Sequence, residues 1–541
     1  PYVLPTSHFA LRCALRLAMQ TTACPKNSRA ARPAIFLFAL AALSSAAGLV
    51  SCAGTSSSSN SNSSSPPPAV AELSAAQVQS IAQAAAAAVN APYVIAITNR
   101  EGDVLAVYQK SGFSPTSLGN FGQTVDTNEL AVSLARTAAF FSNDQAPLSS
   151  RTVRFISGIH FPPGVTDTPN AALYGIENSN RGCTLSTNFN PGESIPPALS
   201  ISGMQPSLGV ATGKVDVYDS NPNAVNPGGV PIFENGVLLG GIGVAGASAD
   251  VAEFAAYAAA TSNGFGPTPA APGVIFINGI ALPFVSQTTL PSGMSAGTAT
   301  GATYLVGPIA SPNPAPEGYL VGPNPGPLGG LSSAQVNSIV MAAVATANQT
   351  RALIRLPIGV KAKMVISVAD LDGTIIALYR MTDATVFSVD VAATKARNMA
   401  YFNSASRAAT DLAGVPIGTA VTNRTIGFGA QPLYPPGIDG TAPGPFFTLY
   451  TNDVATPCTQ GSQPANANQS GIVFFPGSEG IYINGVLVGG LGVSGDGVDQ
   501  DDYVTHGGDT GFEPPTSIQA DQIVLNGVRL PYLSFPRNPT D

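Results

Sequence analysis

The chain carries the same series of sequence blocks twice, and this duplication limits its fold more than any other feature. The block "ENGVLLGGIGVAG", which starts at Glu234, recurs as "INGVLVGGLGVSG" from Ile483. Other blocks recur in the same order: "LSAAQVQSI" as "LSSAQVNSI", "ELAVSLARTAAFF" as "DVAATKARNMAYF", and "INGIALPFV" as "LNGVRLPYL". Ordered recurrence predicts a tandem duplication. We assign repeat 1 to 71–290, a Pro/Gly-rich linker to 291–330 and repeat 2 to 331–541.

Each repeat has the sequence pattern of a mixed helix and strand unit. Ser74 with Gln77, and Ser332 with Gln335, form capping boxes that predict the first helix. Two apolar runs joined at a Gly turn then predict a hairpin, and an Ala-rich helix follows. A second hairpin, joined at Asn-Gly, and a closing helix complete the unit. The predicted fold class is α/β of the α+β type: two tandem α-β-β-α-β-β-α units, each with an antiparallel sheet and packed helices.

Residues 1–51 have the composition of a leader sequence. They hold five basic and no acidic residues, and an apolar run from Ala34 ends in "LVSC" at Cys52. This ending resembles the lipobox of bacterial lipoproteins, in which the Cys is acylated. An ordinary signal peptide with an accidental Cys is the alternative. Residues 52–70 form a Ser/Asn/Pro-rich tether, and Met19 is a plausible start. We expect a lipid anchor that holds the protein in the bacterial envelope, with the outer membrane favoured, facing the periplasm or the cell surface.

The charge of the remaining chain excludes nucleic acid as a partner. Without the leader, 18 basic residues stand against 31 acidic ones, and charged residues are only 10% of the sequence. Binding to phosphates needs a basic face, which this composition does not provide.

Repeat 2 resembles the GlcG/HbpS-like haem-binding domain family, also called domain of unknown function 336. The resemblance rests on "ISVADLDGTIIALYRMTDA", "TKARNMAYF" and "GVLVGGLGVSGDGVDQDDY". Repeat 1 keeps the frame but has Leu134 where repeat 2 has Lys395. The resemblance implies the fold and raises haem as a cofactor. It leaves function open, because family members include haem binders, accessory sensor proteins and fusions to corrinoid enzymes.

Four residues are candidates for contact with a haem-like ligand. His160, in "GIHFPPGV", is a reasonable axial ligand, although an ordinary loop histidine is the alternative; its counterpart in repeat 2 is Leu433. Arg136 and Arg397 occupy matched positions, where a guanidinium could pair with haem propionates or bond a loop carbonyl or carboxylate. Lys395 matches the family's lysine and is expected either to point into a cleft or to serve a structural role.

The other polar candidates carry weaker signals. His506 lies in "YVTHGGDTGF", where the paired glycines are expected to interrupt the closing helix, and we interpret it as structural. The acidic cluster Asp496, Asp499, Asp501 and Asp502 lacks an EF-hand pattern, and carboxylates at a helix N-terminus have a simpler explanation in the helix dipole. We predict no metal site.

Two cysteines remain beyond the predicted lipid anchor. Cys183 and Cys458 follow the Pro-Pro-Gly element of their repeats at similar distances. Equivalent residues approach one another only near a symmetry axis. We therefore hypothesise a disulfide across a pseudo-twofold pairing of the two repeats, with two free buried cysteines as the alternative.

Three functions are compatible with the sequence. The favoured one is an extracytoplasmic, lipid-anchored protein that binds haem, a related tetrapyrrole or another small flat ligand. A non-enzymatic surface scaffold that binds partners is the second, and a haem-degrading enzyme is the least favoured. No nucleophile, general base or metal centre occurs in a recognisable motif, so the enzyme question stays open with a binding protein preferred.

Overall fold

A computed structural model of the chain describes residues 72–215, 221, 223–266 and 275–541. These residues belong to one compact unit, Pro68–Asp541. The predicted leader, Cys52 and the predicted tether lie outside the described residues. Within the described part of the chain, no helix has the length and apolar character needed to span a membrane.

The described elements follow the predicted order in both repeats, with short additional elements. In repeat 1 they are α1 (Ala75–Ala88), β1 (Val94–Asn99), β2 (Val104–Gln109), β3 (Thr116–Leu118), β4 (Thr124–Asp126), α2 (Thr127–Phe141), α3 (Ser150–Phe155), β5 (Gly229–Glu234), β6 (Val237–Ala245), α4 (Ala249–Ala260), β7 (Phe276–Ile277) and β8 (Ile280–Ala281). The connecting segment contributes β9 (Thr303–Val306) and β10 (Gly318–Val321). In repeat 2 they are α5 (Ser333–Ala347), β11 (Met364–Ala369), β12 (Ile375–Arg380), α6 (Phe387–Phe402), α7 (Asn423–Gly429), α8 (Phe447–Ala455), β13 (Ser478–Ile483), β14 (Val486–Gly495), α9 (Val498–Gly508), β15 (Val524–Leu525) and β16 (Val528–Arg529).

Each repeat builds one five-stranded antiparallel sheet, as expected for an α+β fold. The strand orders are β5-β6-β1-β2-β9 and β13-β14-β11-β12-β10, so corresponding strands occupy the same places. The segment 291–330, expected only to link the repeats, supplies the edge strand of both sheets: β9 pairs with β2 and β10 pairs with β12. Both first helices begin at the predicted capping boxes.

The glycine-rich strands let the central helix of each repeat lie very close to its sheet. A Cβ at Gly243 of β6 would overlap the carbonyl oxygen of Ala131 in α2. In repeat 2, a Cβ at Gly492 of β14 would overlap the carbonyl oxygen of Ala392 in α6. The repeated "GG-x-G" sequence therefore serves close packing between helix and strand.

The paired glycines of the closing helix behave differently from the prediction. Gly507 and Gly508 were expected to interrupt α9, but they form its last turn. A Cβ at Gly507 would overlap Thr346, and one at Gly508 would crowd Ala343, both in α5. The glycines are thus explained by the close approach of α9 to α5.

The two repeats contact each other through two aromatic pairs and a disulfide. Phe141 of α2 stacks on Phe387 of α6 with ring centroids 4.1 Å apart. Tyr174 stacks on Tyr450 at 5.0 Å. Cys183 and Cys458 form a disulfide with their Cα atoms 5.4 Å apart. These contacts join the repeats through both apolar burial and a covalent bond.

Substitution of Gly243 tests the close packing of helix on strand. We expect Gly243→Ala to lower the free energy of unfolding by about 1–3 kcal/mol, because the methyl group has no space against the α2 backbone. Gly266→Ala is the matched control, since none of the described residues lies within 4 Å of a Cβ there; we expect a change within about 0.5 kcal/mol. Urea unfolding followed by circular dichroism measures the free energy of unfolding of both variants. Equal losses in the two would show that a methyl group at Gly243 does not clash with α2.

Candidate functional site

The most promising site is a cavity of about 610 Å³ in repeat 2. It is formed by strand β13, helix α9 and the segment that follows α9. Aromatic and aliphatic side chains supply much of its lining, together with one histidine and a few acidic and polar groups. The lining residues are Phe428, Glu479, His506, Glu513, Thr516, Gln519, Asp521, Arg529, Leu530, Pro531, Tyr532, Leu533 and Phe535. Cavities of this size and apolar character are typical of small-molecule sites.

A buried acidic cluster lies against this cavity. Glu479 of β13 is 1% exposed, and its Oε2 lies 3.7 Å from Nδ1 of His506 in α9. Asp509, directly after α9, is fully buried, and neither of its carboxyl oxygens has a hydrogen-bond partner among the described residues. The hydroxyl of Tyr532 is likewise buried without a partner there. Unsatisfied buried polar groups are costly, and they concentrate at functional sites.

Burial and mutual charge set the protonation of this cluster. Burial raises the pKa of Glu479. Burial, followed by the charges of Glu479 and Glu513, raises the pKa of Asp509 well above its ordinary value. The nearby carboxyl of Glu479 raises the pKa of His506 above its ordinary 6.5. Nδ1 of the histidine thus faces a carboxyl without a hydrogen bond at this distance, and its Nε2 makes no hydrogen bond within the described residues.

At the aligned positions that the structure describes, repeat 1 has no equivalent of this cluster. Glu479 is paired with Leu491 in the β13–β14 hairpin, and the residue in the same register of repeat 1 is Val230, paired with Ile242. In the aligned blocks, the counterparts of His506, Asp509 and Tyr532 are Tyr257, Ala260 and Phe284. Repeat 1 thus fills the same place with side chains that carry no carboxylate, and the polar site belongs to repeat 2.

His160 lies elsewhere, between the repeats. Its Nε2 is 2.8 Å from Oδ1 of Asp439, and this bond lowers the pKa of the Asp439 carboxyl. Both residues line a cavity of about 470 Å³, together with Leu433, the counterpart of His160 in repeat 2. To bind a metal through Nε2, His160 would have to give up its bond to Asp439.

Arg136 and Arg397 both bond backbone carbonyls. Arg136 Nε donates to Gly102 O at 2.8 Å, and Arg397 Nε donates to the equivalent Gly373 O at 3.0 Å. Burial lowers the pKa of each guanidinium to about 10. Arg397 also donates to Leu185 O of repeat 1. These contacts hold loops in place, and both side chains are at most 7% exposed.

Lys395 is wholly buried instead of facing a cleft. Its Nζ donates to Val493 O at 2.7 Å and to Asp501 Oδ2 at 3.1 Å, and lies 5.0 Å from the centre of the Phe475 ring. Burial lowers the pKa of Lys395 and raises that of Asp501 to about 7. The lysine therefore belongs to an internal ion pair.

The acidic residues around α9 are likewise held by basic partners. Asp496 pairs with Arg355, while Asp499 and Asp502 pair with Arg424. Among the described residues, no group of three or more His, Cys, Asp or Glu has the arrangement of a metal site.

Glu479 and Asp509 escaped the sequence analysis. The sequence does contain a signal for both residues: repeat 1 has Val230 where repeat 2 has Glu479, and Ala260 where repeat 2 has Asp509. The residues become conspicuous only when the sheet register aligns β13 with β5 and the structure shows that Glu479 lies beside His506 and acts on the charge of Asp509.

Comparison with known proteins finds a family model that matches part of repeat 2. Residues 331–508 match the model described as "Haem degrading protein HbpS-like". The match confirms the resemblance noted for repeat 2 and includes Glu479 and His506. No curated protein matches the chain.

Two solved structures are similar to about a third of the chain. One is a PduOC:heme complex, with 23% identity and a TM-score of 0.23 over 34% of this chain and 97% of that one. The other is the Klebsiella pneumoniae protein ORFY of the DUF336 family, with 19% identity and a TM-score of 0.22 over 33% of this chain and 88% of that one.

The contribution of the Lys395–Asp501 ion pair to stability can be tested by replacing each residue with its counterpart from repeat 1. Repeat 1 has Leu134 and Ala252 at these positions. We expect Asp501→Ala alone to cost about 3–5 kcal/mol, since it leaves a buried ammonium without its charge partner. The double variant Lys395→Leu/Asp501→Ala removes both charges and should recover most of that loss. Urea unfolding measures the three proteins; a double variant less stable than the single one would contradict this interpretation.

Proposed function

We propose that the chain binds haem or a related tetrapyrrole in the repeat 2 cavity, with His506 as the ligand to iron. One observation carries the proposal: a histidine beside a buried carboxyl lines a cavity of about 610 Å³, and both residues lie within the segment that matches a haem-associated family model. His160 lies outside the matched residues, and its Nε2 is already bonded to Asp439.

The residues of the cavity fit such a group. The iron of haem takes a neutral imidazole nitrogen as an axial ligand. Nε2 of His506 has no hydrogen-bond partner within the described residues, and Nδ1 faces Glu479, which would fix the tautomer and increase the basicity of the ring. Phe535, whose ring centroid is 5.3 Å from that of His506, and Phe428 supply apolar faces for a flat ligand.

Titration of the protein with haem tests the proposal. We expect a Soret band for the wild type, an affinity at least tenfold lower for His506→Ala, and a loss of about 10–100-fold for Glu479→Gln. His160→Ala is the control and should bind as the wild type does. Affinity should fall as the pH drops through the raised pKa of His506, because the protonated ring cannot ligate.

Two outcomes would count against this site. A Soret band that is lost in His160→Ala and kept in His506→Ala would move the site to the cavity between the repeats. The absence of any spectral change in the wild type would favour the alternative of a scaffold that binds partner proteins.

We also propose that the protein is anchored in the bacterial envelope by a lipid on Cys52. The proposal rests on the leader-like composition of 1–51, the "LVSC" ending and the tether at 52–70. Mass analysis of the native protein should find an acylated N-terminal Cys52, and Cys52→Ser should move the protein from the membrane fraction to the soluble fraction. An unmodified thiol at Cys52 in the native protein would contradict it.

A further inference from the structure

A second cavity, of about 230 Å³, lies between the two repeats and away from His506. Repeat 1 contributes the turn between β1 and β2, the end of α2 and a long loop around the disulfide, while repeat 2 contributes the start of α6. Its lining residues are Glu101, Phe140, Asn180, Gly182, Cys183, Thr184, Leu185, Ser186, Thr187, Phe189, Ile195, Pro196, Pro197, Ala198, Val386, Val389 and Asp390. The volume suits a small molecule, since cavities for drug-sized ligands are larger.

The carboxyl of Glu101 is the unusual group in this cavity. Glu101 is 6% exposed and makes no hydrogen bond or ion pair among the described residues. Burial, followed by the charges of Asp103 and Glu72, raises its pKa to about 8, while Arg380 opposes this rise. A buried carboxyl without a partner is costly, so a ligand that supplied the missing partner would gain binding free energy from it.

A second carboxyl lines the same cavity. Asp390 of α6 accepts a hydrogen bond from the backbone N–H of Asn180 at 2.8 Å, and burial raises its pKa to about 6. The arginines whose charges act on these carboxyls donate to backbone carbonyls: Arg380 to Ala384 O, and Arg397 to Gly373 O and to Leu185 O in the wall of the cavity. Among the described residues that line the cavity, none is Lys, Arg or His. The cavity therefore has two carboxyl groups that a bound cation could ionise and pair with, but no cationic side chain in its lining.

The remaining walls are apolar. Phe140 and Phe189 supply aromatic rings, and Ile195, Val386 and Val389 supply aliphatic surface. Aromatic rings next to carboxylates are a favourable environment for organic cations, because the ring faces and the carboxylates both attract positive charge.

We propose that this cavity binds a small primary amine that carries an apolar ring or chain. The positive charge of the ammonium group favours the ionised form of Glu101 and pairs with it, and the apolar part packs against Phe140 and Phe189. This site is separate from the proposed haem site and does not depend on it.

Binding of benzylamine and of its neutral analogue benzyl alcohol to the full chain tests the proposal by isothermal titration calorimetry. We expect the wild type to bind benzylamine at least tenfold more tightly than benzyl alcohol. Glu101→Gln, which keeps the shape and removes the charge, should weaken benzylamine binding at least tenfold. Asp372→Asn is the matched control, because Asp372 is the exposed counterpart of Glu101 in the repeat 2 turn; it should bind as the wild type does.

Two further variants show whether benzylamine binds in this cavity or at another place on the protein. Ala198→Leu fills part of the cavity and should weaken both probes, whereas His506→Ala should leave benzylamine binding unchanged. Thermal unfolding establishes that each variant is folded. Equal affinities of the two probes for the wild type, no binding of benzylamine, or unchanged benzylamine binding in Glu101→Gln would each overturn the proposal.

Discussion

The close approach of each central helix to its sheet is the constraint on which the rest of the structure depends. Glycines in β6 and β14 allow the backbones of α2 and α6 to touch the strands, where any larger residue would push the helix away. This short distance brings Lys395 of α6 within reach of Val493 O and Asp501, and Arg397 within reach of Gly373 O. The buried contacts of Lys395 and Arg397 thus depend on the close packing between helix and sheet.

On this shared frame, the two repeats differ in the chemistry of their interiors. Repeat 2 buries ionisable groups that are paired, such as Lys395 with Asp501, and carboxyl oxygens that lack hydrogen-bond partners among the described residues, in Glu479 and Asp509. Repeat 1 has Leu134, Val230 and other uncharged residues in the corresponding places. Repeat 1 therefore keeps the fold but has uncharged residues in place of the polar cluster. It contacts repeat 2 directly and helps to hold the two repeats together.

Much of the fold could be predicted from the sequence because its signals are local. The capping boxes at Ser74 and Ser332, the Asn-Gly turns and the glycine-rich strands each specify a short piece of backbone. The edge strands β9 and β10 could not be predicted, since a Pro/Gly-rich segment becomes a strand only when a sheet edge is available to pair with it. The candidate sites were harder still, because Glu479 and His506 are brought together only by the path of β13, β14 and α9. Glu101 presents the same difficulty, since its cavity is closed by residues of the other repeat.

The bond between Cys183 and Cys458 changes what cleavage of the chain can do. Residues 312–314, between β9 and β10, are exposed and accessible to a protease. A cut there would divide the chain into two fragments, but the disulfide would still hold the fragments together. The nicked protein would run as one species in a gel without a reductant and as two after thiol treatment.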